Sequence, residues 1–207
     1  MQEKIIFAAG YPIGFATINN DEYYSVQLND KIYPINLLSA FIWLEALKGG
    51  RTKIDIMDGV LEELQKQGYE LGKDFTLENL EISYSELLAI SLLIEIGNKE
   101  TYTLIENYPN ITPFRVGFGL GTNFDKIVIH NESQNIDITN IEYYIWQLAN
   151  GSRTLSAIYQ EYENGYKLAL SNNPNIDNEF TISSLKTVFA DAFVNLYNKD
   201  LIYITNN

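Results

Sequence analysis

The sequence predicts an α+β protein in which two similar units follow one another along the chain. Residues 11–43 align without a gap with residues 114–146, and both tryptophans of the chain, Trp43 and Trp146, fall at one position of this alignment. In each half, short β-type segments precede segments with helical periodicity. The spacing of the repeat far exceeds the roughly 20–50 residues of a solenoid unit, so it indicates a duplicated domain.

The identical positions of the gap-free part are Gly14/Gly117, Phe15/Phe118, Asn20/Asn123, Ile35/Ile138, Ile42/Ile145 and Trp43/Trp146. The repeat then continues, because Arg51-Thr52 meets Arg153-Thr154 once one residue is lost. We interpret Trp43 and Trp146 as core anchors, since large aromatic side chains supply much of the burial in a small core. Gly14 and Gly117 are interpreted as structural residues that allow strand and turn flexibility.

The repeat also defines domain boundaries. We predict one domain at residues 1–105 and a second at residues 114–207, joined by residues 106–113. The joining segment contains Pro109 and Pro113. Proline excludes helix at its own position and disfavours it at the residue before, so the segment is predicted to be a stiff, extended linker.

A small antiparallel β-sheet is predicted in the first third of each unit. The runs EYYSVQL (22–28) and KIVIH (126–130) are rich in β-branched and aromatic residues, and clusters of Asn, Asp and Gly that mark turns lie between such runs. A final β run is predicted to close each unit, YTLI (102–105) in the first and LIYI (201–204) in the second.

Three helices are predicted between these β segments. The first begins in the second unit at Thr139, which forms a capping box with Glu142, and in the first unit at Asn36. Thr52 and Thr154 are predicted N-caps of the second helix, because a threonine hydroxyl accepts a hydrogen bond from a free amide of the first turn. The third helix is predicted to follow Thr76 in the first unit and Thr181 in the second.

The composition is strongly acidic. The chain has 14 Lys and Arg against 27 Asp and Glu, which gives a formal net charge of −13. Because phosphate backbones are bound mainly through clustered Lys and Arg, this composition argues against general nucleic-acid binding.

Cysteine is absent, which removes disulfides, thiolate nucleophiles and Cys-based metal sites. The apolar run near the start is interrupted by Gly10 and Pro12 and is too short to span a bilayer. We therefore expect a cytoplasmic protein with no membrane segment.

Three helices with two or three short strands per unit describe a winged-helix arrangement, so the predicted fold is two tandem winged-helix-like domains, each with a small antiparallel β-sheet and three helices. The order of these elements around the motif Gly-x-Arg-Thr resembles the PqqD-like proteins and peptide-recognition elements of ribosomal-peptide modification systems. The matching residues are IWQLANGSRT (145–154) with NKDLIYI (198–204), and more loosely IWLEALKGGRT (42–52) with LLIEIG (92–97). The likeness covers most of each unit.

What the resemblance implies is a non-enzymatic adaptor that binds a peptide or a partner protein by β-augmentation, in which an extended peptide joins the edge of a sheet and rests against the third helix. In this chain the strands would be residues 23–28 and 126–130. The candidate binding residues are Tyr23, Tyr24, Val26, Ile127 and Ile129 on the strands, with Tyr84, Leu88, Phe189 and Phe193 on the third helices. Core packing is the alternative role of the four helix residues.

Two other functions remain open at the level of sequence. A winged helix can bind DNA through its third helix, although that helix carries Glu78, Glu81 and Glu86 without Lys or Arg in the first unit and Lys186 beside Asp191 in the second. An acidic phage or plasmid decoy that imitates nucleic acid is a weaker alternative. The partner and the oligomeric state cannot be predicted.

No catalytic or cofactor motif can be assembled from the sequence. His130 is the only histidine and ends a β run, so we interpret it as a strand or turn residue. The glycines of GFGLG (117–121) lack the spacing of a phosphate loop. We therefore predict no enzymatic activity, no cofactor and no metal site.

Overall fold

A computed structural model describes residues 4–18, 21–28, 30–97, 100–123, 126–131, 134–172 and 182–206. Over these residues the protein is α+β, with seven helices and small antiparallel sheets. The chain divides into two compact units, one of Met1–Asn98 with Ile204–Asn207 and one of Lys99–Tyr203.

The first unit contains two three-stranded antiparallel sheets. Its strands are β1 (Lys4–Ala8), β2 (Tyr11–Ile18), β3 (Asp21–Leu28), β4 (Lys31–Ile35), β5 (Arg51–Thr52) and β6 (Leu93–Gly97). One sheet has the order β2-β3-β4 and the other the order β5-β1-β6. The first is a meander of consecutive strands, whereas β1 lies between two strands that come much later in the chain.

Three helices complete the first unit, α1 (Leu37–Leu47), α2 (Lys53–Lys66) and α3 (Leu77–Ala89). The predicted starts are confirmed, because the side chains of Asn36, Thr52 and Thr76 each accept a hydrogen bond from a backbone amide of the first turn. Thr52 forms a full capping box with Asp55. Such caps satisfy amides that would otherwise lack a partner, and each contributes about 1 kcal/mol.

The core of the first unit is formed where the helices pack on the sheets. Its largest fully buried side chains include Phe7, Ile42, Trp43, Leu64 and Leu80. Full burial of a large apolar side chain contributes about 1.5–3 kcal/mol relative to an exposed one. The core thus joins residues from β1, α1, α2 and α3.

The second unit is similar to the first in its order of elements, but it has an additional helix at its start and no described strand in the place of β5. Its elements are α4 (Thr103–Asn107), β7 (Ile111–Arg115), β8 (Phe118–Asn123), β9 (Lys126–Asn131), β10 (Gln134–Ile138), α5 (Asn140–Leu148), α6 (Leu155–Asn172), α7 (Ile182–Asn198) and the first two residues of β11 (Ile202–Asn206). Strands β8, β9 and β10 form an antiparallel meander with β9 at its centre, and β7 pairs with β11. The buried side chains include Ile145, Trp146, Leu155, Phe189 and Phe193.

Helix starts in the second unit follow the same local chemistry. The capping box of Thr139 and Glu142 is confirmed at the start of α5. The hydroxyl of Thr154 accepts a hydrogen bond from the amide of Ala157 at 3.2 Å, in the first turn of α6. The predicted start of the third helix at Thr181 lies outside the described residues.

The segment predicted to close the first unit as a strand is helical instead. Residues 103–105 belong to α4, and the closing strand is β6. Leu104 and Ile105 are both buried although they are neighbours in the chain. A strand would place neighbouring side chains on opposite faces, whereas a helical turn can bury both. The prediction of LIYI as a closing strand is confirmed by β11.

The residues predicted as an extended linker also adopt regular structure. Glu106 and Asn107 end α4, and residues 111–113 begin β7, all within the second unit. Pro113 fits in β7 because proline is tolerated where its missing N–H is not needed by a sheet neighbour.

The structure shifts the alignment of the two β2-like strands. Tyr11 pairs with Gln27, and Phe118 pairs with His130. Since β3 and β9 align as the sequence suggests, Tyr11 corresponds to Phe118. The match of Gly14 with Gly117 is therefore wrong, and the counterparts are Gly10/Gly117 and Gly14/Gly121. The reason is that β2 and β3 each have 8 residues whereas β8 and β9 each have 6, and a gap-free alignment cannot represent a longer hairpin.

Asp200 is a site where a substitution should stabilise the protein. It has a positive φ of 54°, and partial burial raises the pKa of its carboxyl. A raised pKa in the folded state means that the charged form is penalised, and the penalty is lost as the pH falls through that pKa. Replacement by Asn, which tolerates this backbone conformation, should raise the free energy of unfolding at pH 7 by roughly 0.5 kcal/mol or less, because solvent screens the charge.

The gain from Asp200→Asn should shrink to nothing near pH 3, which thermal melts at several pH values would measure. Ser91 has a similar φ of 61° in the first unit and supplies the control. Ser91→Asn removes no carboxyl, so its effect should not depend on pH. A pH-independent gain for Asp200→Asn would show that backbone conformation alone is responsible.

Candidate functional site

Most of the side chains predicted to contact a peptide lie inside the two cores. Six of them are buried, namely Tyr24, Val26, Tyr84, Ile129, Phe189 and Phe193, whereas Tyr23, Leu88 and Ile127 are half-buried. A buried side chain presents almost no surface to a partner in this conformation. The geometry therefore favours the core-packing role for Tyr84, Phe189 and Phe193.

Tyr84 shows how such a residue is held. Its hydroxyl donates a 2.5 Å hydrogen bond to Glu95, which also forms a 2.7 Å ion pair with Lys4. The ammonium of Lys53 lies 4.6 Å from the centre of the Tyr84 ring. Burial, together with the carboxylate of Glu95, raises the pKa of the Tyr84 hydroxyl, so this group stays protonated as a donor. These contacts tie α3 to β6 and β1.

The two strands predicted to accept a peptide are at the centres of their sheets. Strand β3 pairs with β2 on one side and β4 on the other, and β9 pairs likewise with β8 and β10. A strand with neighbours on both sides has no free edge for a third. The prediction that residues 23–28 and 126–130 add a peptide strand is therefore wrong, and the available edges are those of the outer strands.

One outer strand of each meander carries features that discourage pairing. Strand β4 contains Pro34, which has no N–H to donate, and the exposed Lys31. Strand β10 contains Asp137, which forms a 3.1 Å ion pair with Lys126. Proline and charged side chains are the usual protection of a sheet edge.

The opposite edge of the first meander contains Pro12 and a β-bulge but has no charged side chain. Strand β2 contains no charged residue and exposes Tyr11, Ile13 and Phe15 by 52, 50 and 64 %. The pairing of β2 with β3 shifts between Pro12 and Gly14, so Ile13 is the extra residue of a β-bulge. We call Tyr11, Ile13 and Phe15 on β2 the first open edge.

The first open edge rests on the core beneath it. The Phe15 ring packs edge-on against Tyr24 with 5.0 Å between centroids, and Tyr24 lies 6.1 Å from Trp43. Trp43 in turn donates a 3.0 Å hydrogen bond to the carbonyl of Ala9, just before β2. This chain of contacts fixes the strand, so little conformational entropy remains to be lost when a partner binds.

The second meander has the same arrangement at the same edge. Strand β8 contains no charged residue and exposes Phe118 and Leu120 by 58 and 52 %. Leu120 is the extra residue of a bulge between Gly119 and Gly121. The Phe118 ring lies 5.1 Å from that of His130, whose Nδ1 is 2.8 Å from the side-chain oxygen of Asn135. We call Phe118 and Leu120 on β8 the second open edge.

An acidic depression in the first unit is a separate feature. It has a volume of about 470 Å³ and is lined by Arg51, Asp55, Asp58, Gly59 and Glu62. Beneath it the buried Glu45 forms ion pairs with Lys48 and, at 3.1 Å, with Arg51. Gly59 makes room for Glu45, because a Cβ there would lie 2.6 Å from a carboxylate oxygen. These contacts join α1 to α2 and make the cluster part of the fold.

The described part of the chain contains no group of three or more His, Asp and Glu residues placed to hold a metal ion. None of its helices is long and apolar enough to cross a bilayer.

The third helices offer little to a nucleic acid. Glu78, Glu81 and Glu86 are exposed on α3, and Lys53 reaches across from α2 to bind Glu81 at 2.6 Å. On α7, Lys186 is held by Glu106 at 2.8 Å. A cation already paired with a carboxylate must lose that partner before it can bind a phosphate.

Comparisons with known proteins add little. No protein-family model and no curated protein matches the chain. Among solved structures it is similar to PKMT2 from Rickettsia typhi at 12% identity with a TM-score of 0.32, and to PKMT2 from Rickettsia typhi in complex with AdoHcy at 13% identity with a TM-score of 0.33. Each match covers 96% of this chain and 42% of the other, so the chain spans less than half the length of these structures. At such scores the likeness carries no argument about function.

Sequence reasoning missed the open edges, although a signal was present. Ile13, Phe15 and Leu120 lie in strands that combine apolar side chains with glycine and have no charge. A buried central strand can have the same composition. The strand order, which the sequence does not give, distinguishes the two cases.

Proposed function

We propose that the protein is a non-enzymatic adaptor of two winged-helix-like units, related by internal duplication and similar to PqqD-like proteins, that binds extended peptide segments. Support for duplication comes from matching details in the two units. Trp146 donates a 2.8 Å hydrogen bond to the carbonyl of Val116, just before β8, as Trp43 does before β2. Ser91 and Asp200 both have positive φ, just before β6 and β11.

The winged-helix assignment rests on the order of the elements. A short strand, β5, lies between α1 and α2 and pairs with β1, which also pairs with β6 after α3. The strands of one small sheet thus precede α1, separate α1 from α2, and follow α3. This order supports the resemblance inferred from the motif Gly-x-Arg-Thr.

One observation carries the proposed function: both meanders leave the same edge strand uncharged, apolar and exposed. Exposed edges of this composition invite pairing with another strand, so proteins usually protect them. Here the opposite edges carry charged side chains, Lys31 on β4 and Asp137 on β10, whereas β2 and β8 carry none. An uncharged, apolar edge in both units is best explained if this edge binds a partner strand.

In binding by strand addition, the backbone provides affinity and the side chains provide specificity. The backbone of the peptide pairs with the outer edge of β2 or β8, and this pairing gives affinity with little dependence on sequence. Tyr11 pairs with Gln27 and Phe15 pairs with Tyr24, three residues apart on β3, so the two rings project from opposite faces of the sheet. Peptide side chains on either face of β2 therefore lie beside an aromatic ring, and on β8 they lie beside Phe118. Cross-strand pairs that involve aromatic rings contribute roughly 0.2–1 kcal/mol each, so apolar peptide side chains beside these rings are preferred.

The proposal predicts that the chain enriches specific peptides from a displayed library of random linear sequences longer than β2. The enriched peptides should share apolar residues at the positions that lie beside the exposed aromatic rings. The double variant Ile13→Lys with Leu120→Lys should bind them at least about tenfold more weakly, which corresponds to 1.4 kcal/mol, because each lysine places a charge on an open edge. Fluorescence anisotropy of a labelled peptide measures the loss.

Ile32→Lys supplies a matched control for these substitutions. Ile32 is as exposed as Phe15 but lies on β4, the protected edge of the same meander. This variant should bind like the wild type. Failure of the wild-type chain to enrich any peptide, or equal binding by the double variant, would contradict the adaptor function.

A further inference from the structure

We infer that the second open edge is a peptide site in its own right, so that one chain holds two extended segments of net positive charge. The inference rests on the proposed function, because it asks which edges bind and what they prefer. A duplicated unit could instead serve only as a scaffold for the first. The differences between the two units can be used to decide whether the second unit is only a scaffold.

The hairpins have diverged in length and composition, but the features of the open edge are present in both. The second hairpin is shorter, Gly119 stands where the first unit has Pro12, and Thr122 stands where it has Phe15. An aromatic side chain is nevertheless exposed at the corresponding positions, Tyr11 and Phe118.

The bulges of the two hairpins also correspond. Each exposes an aliphatic side chain, Ile13 in one and Leu120 in the other, and is followed by a glycine of positive φ, 118° at Gly14 and 107° at Gly121. Exposed apolar side chains on an edge without charges are an aggregation liability. A unit that served only as scaffold would be expected to carry charges there instead.

The second unit exposes a further apolar side chain on β7. Phe114 on β7 is 48 % exposed, whereas its counterpart in the first unit, Phe7, is fully buried. Phe114 is held in place by Gly151, where any Cβ would overlap its ring. The second unit therefore has its own apolar surface and is not a reduced copy of the first.

Differences between the edges predict different ligands. The first edge extends along 8 residues with three exposed apolar side chains, and the second along 6 residues with two. The first should thus prefer a longer segment, with an additional apolar residue opposite Phe15. The second should accept a shorter one, and Gly119 leaves room for a larger side chain in the peptide.

The net charge of the chain indicates which kind of segment binds at the open edges. Two copies of a chain with net charge −13 repel each other, which opposes edge-to-edge pairing of the protein with itself. The strands β2 and β8 are uncharged, so the charge of a partner acts through the residues that flank its apolar positions. An extended segment with Lys or Arg between or beside its apolar residues complements the acidic chain and should associate faster at low salt.

The test repeats the peptide selection on two single variants, Ile13→Lys and Leu120→Lys. Each should still enrich peptides, and the two sets should differ in length of the apolar pattern. A peptide enriched on Ile13→Lys should bind wild type with one site per chain and lose at least about tenfold in affinity on Leu120→Lys. The converse should hold for peptides enriched on Leu120→Lys, and isothermal titration gives both the affinity and the number of sites.

The possible outcomes distinguish failure of the second peptide site from failure of the adaptor function. If wild type enriches peptides and Ile13→Lys enriches none, the second unit has no site and the inference fails alone. If wild type enriches none, the adaptor function fails. Enriched peptides with net negative charge, or dimers of the wild type in sedimentation at low salt, would overturn the choice of occupant.

Folding of the variants is controlled by their thermal melts and circular dichroism. Ile13 and Leu120 are half exposed, so a lysine at either position can extend into solvent. Should one of them unfold the protein, Phe15→Thr and Phe118→Thr replace them, because threonine suits a strand and removes only the exposed aromatic ring. The same reciprocal losses are then expected.

Discussion

Replacing Trp43 by Ala should lower the free energy of unfolding by about 3–5 kcal/mol, the usual cost of removing a buried aromatic side chain. Trp43 is fully buried on α1 and packs beside Tyr24. Its indole N–H donates a 3.0 Å hydrogen bond to the carbonyl of Ala9. The substitution therefore leaves both a cavity and a carbonyl without its partner, and urea denaturation would measure the combined loss.

Trp43→Phe separates the two contributions. Phenylalanine retains most of the packing but cannot donate to Ala9, so it should cost about 1–3 kcal/mol, the penalty for an unsatisfied buried acceptor. Trp146→Ala tests the same position in the second unit, where Arg115 also lies 5.2 Å from the ring centre. A denaturation midpoint equal to that of wild type would rule out the core role of Trp43.

Features fixed by local chemistry could be predicted from the sequence. The α+β class and the helix starts at Asn36, Thr52, Thr76 and Thr139 follow from hydrogen bonds between residues that are close in the chain. Hydrophobic periodicity over one or two turns was enough to place these helices. The repeat of Trp43 and Trp146 pointed to similar units because both fall at one position of a gap-free alignment.

Features that depend on pairing between distant segments could not be predicted. Strand β3 gives the strongest β signal of the first unit, so β propensity alone selects it as the strand that a peptide joins. Its composition reflects a central strand buried between two neighbours, with Val26 fully buried. The edge role belongs to β2, whose apolar residues could equally have faced a core. Helix α4 was missed because its burial comes from tertiary packing, which overrides local β propensity.

The proposed site therefore lies on β2 and β8, one strand away from the β3 and β9 that the sequence predicts. The half-buried Tyr23 and Ile127 lie on the central strands, and the exposed Ile13 and Leu120 lie on the strands beside them. Peptide binding by strand addition remains the proposal, but its location follows from the strand order. A prediction of binding residues from β propensity alone selects the most buried strand, which is the one least able to accept a partner.

Alanine substitutions at Gly117, just before β8, and at Gly121, within β8, should separate the cost of steric crowding from the cost of backbone strain. Gly117→Ala is expected to lower the free energy of unfolding by about 2–5 kcal/mol, because a Cβ there would overlap the carbonyl oxygen of His130 and because φ at Gly117 is +82°. Gly121 has a φ of +107°, but nothing lies within 4 Å of a Cβ built on it. Gly121→Ala should therefore cost only about 1–2 kcal/mol, the strain term alone.

The first unit supplies an independent test of the same argument. Gly10 is the counterpart of Gly117, and a Cβ there would lie 2.9 Å from the carbonyl oxygen of Gln27. Gly14 is the counterpart of Gly121 and has open space around it. Denaturation of the four Ala variants should thus pair Gly10 with Gly117 and Gly14 with Gly121. If Gly14→Ala were instead as costly as Gly117→Ala, the gap-free alignment would describe the hairpins better than the strand pairing does, and the correspondence of the two open edges would fail with it.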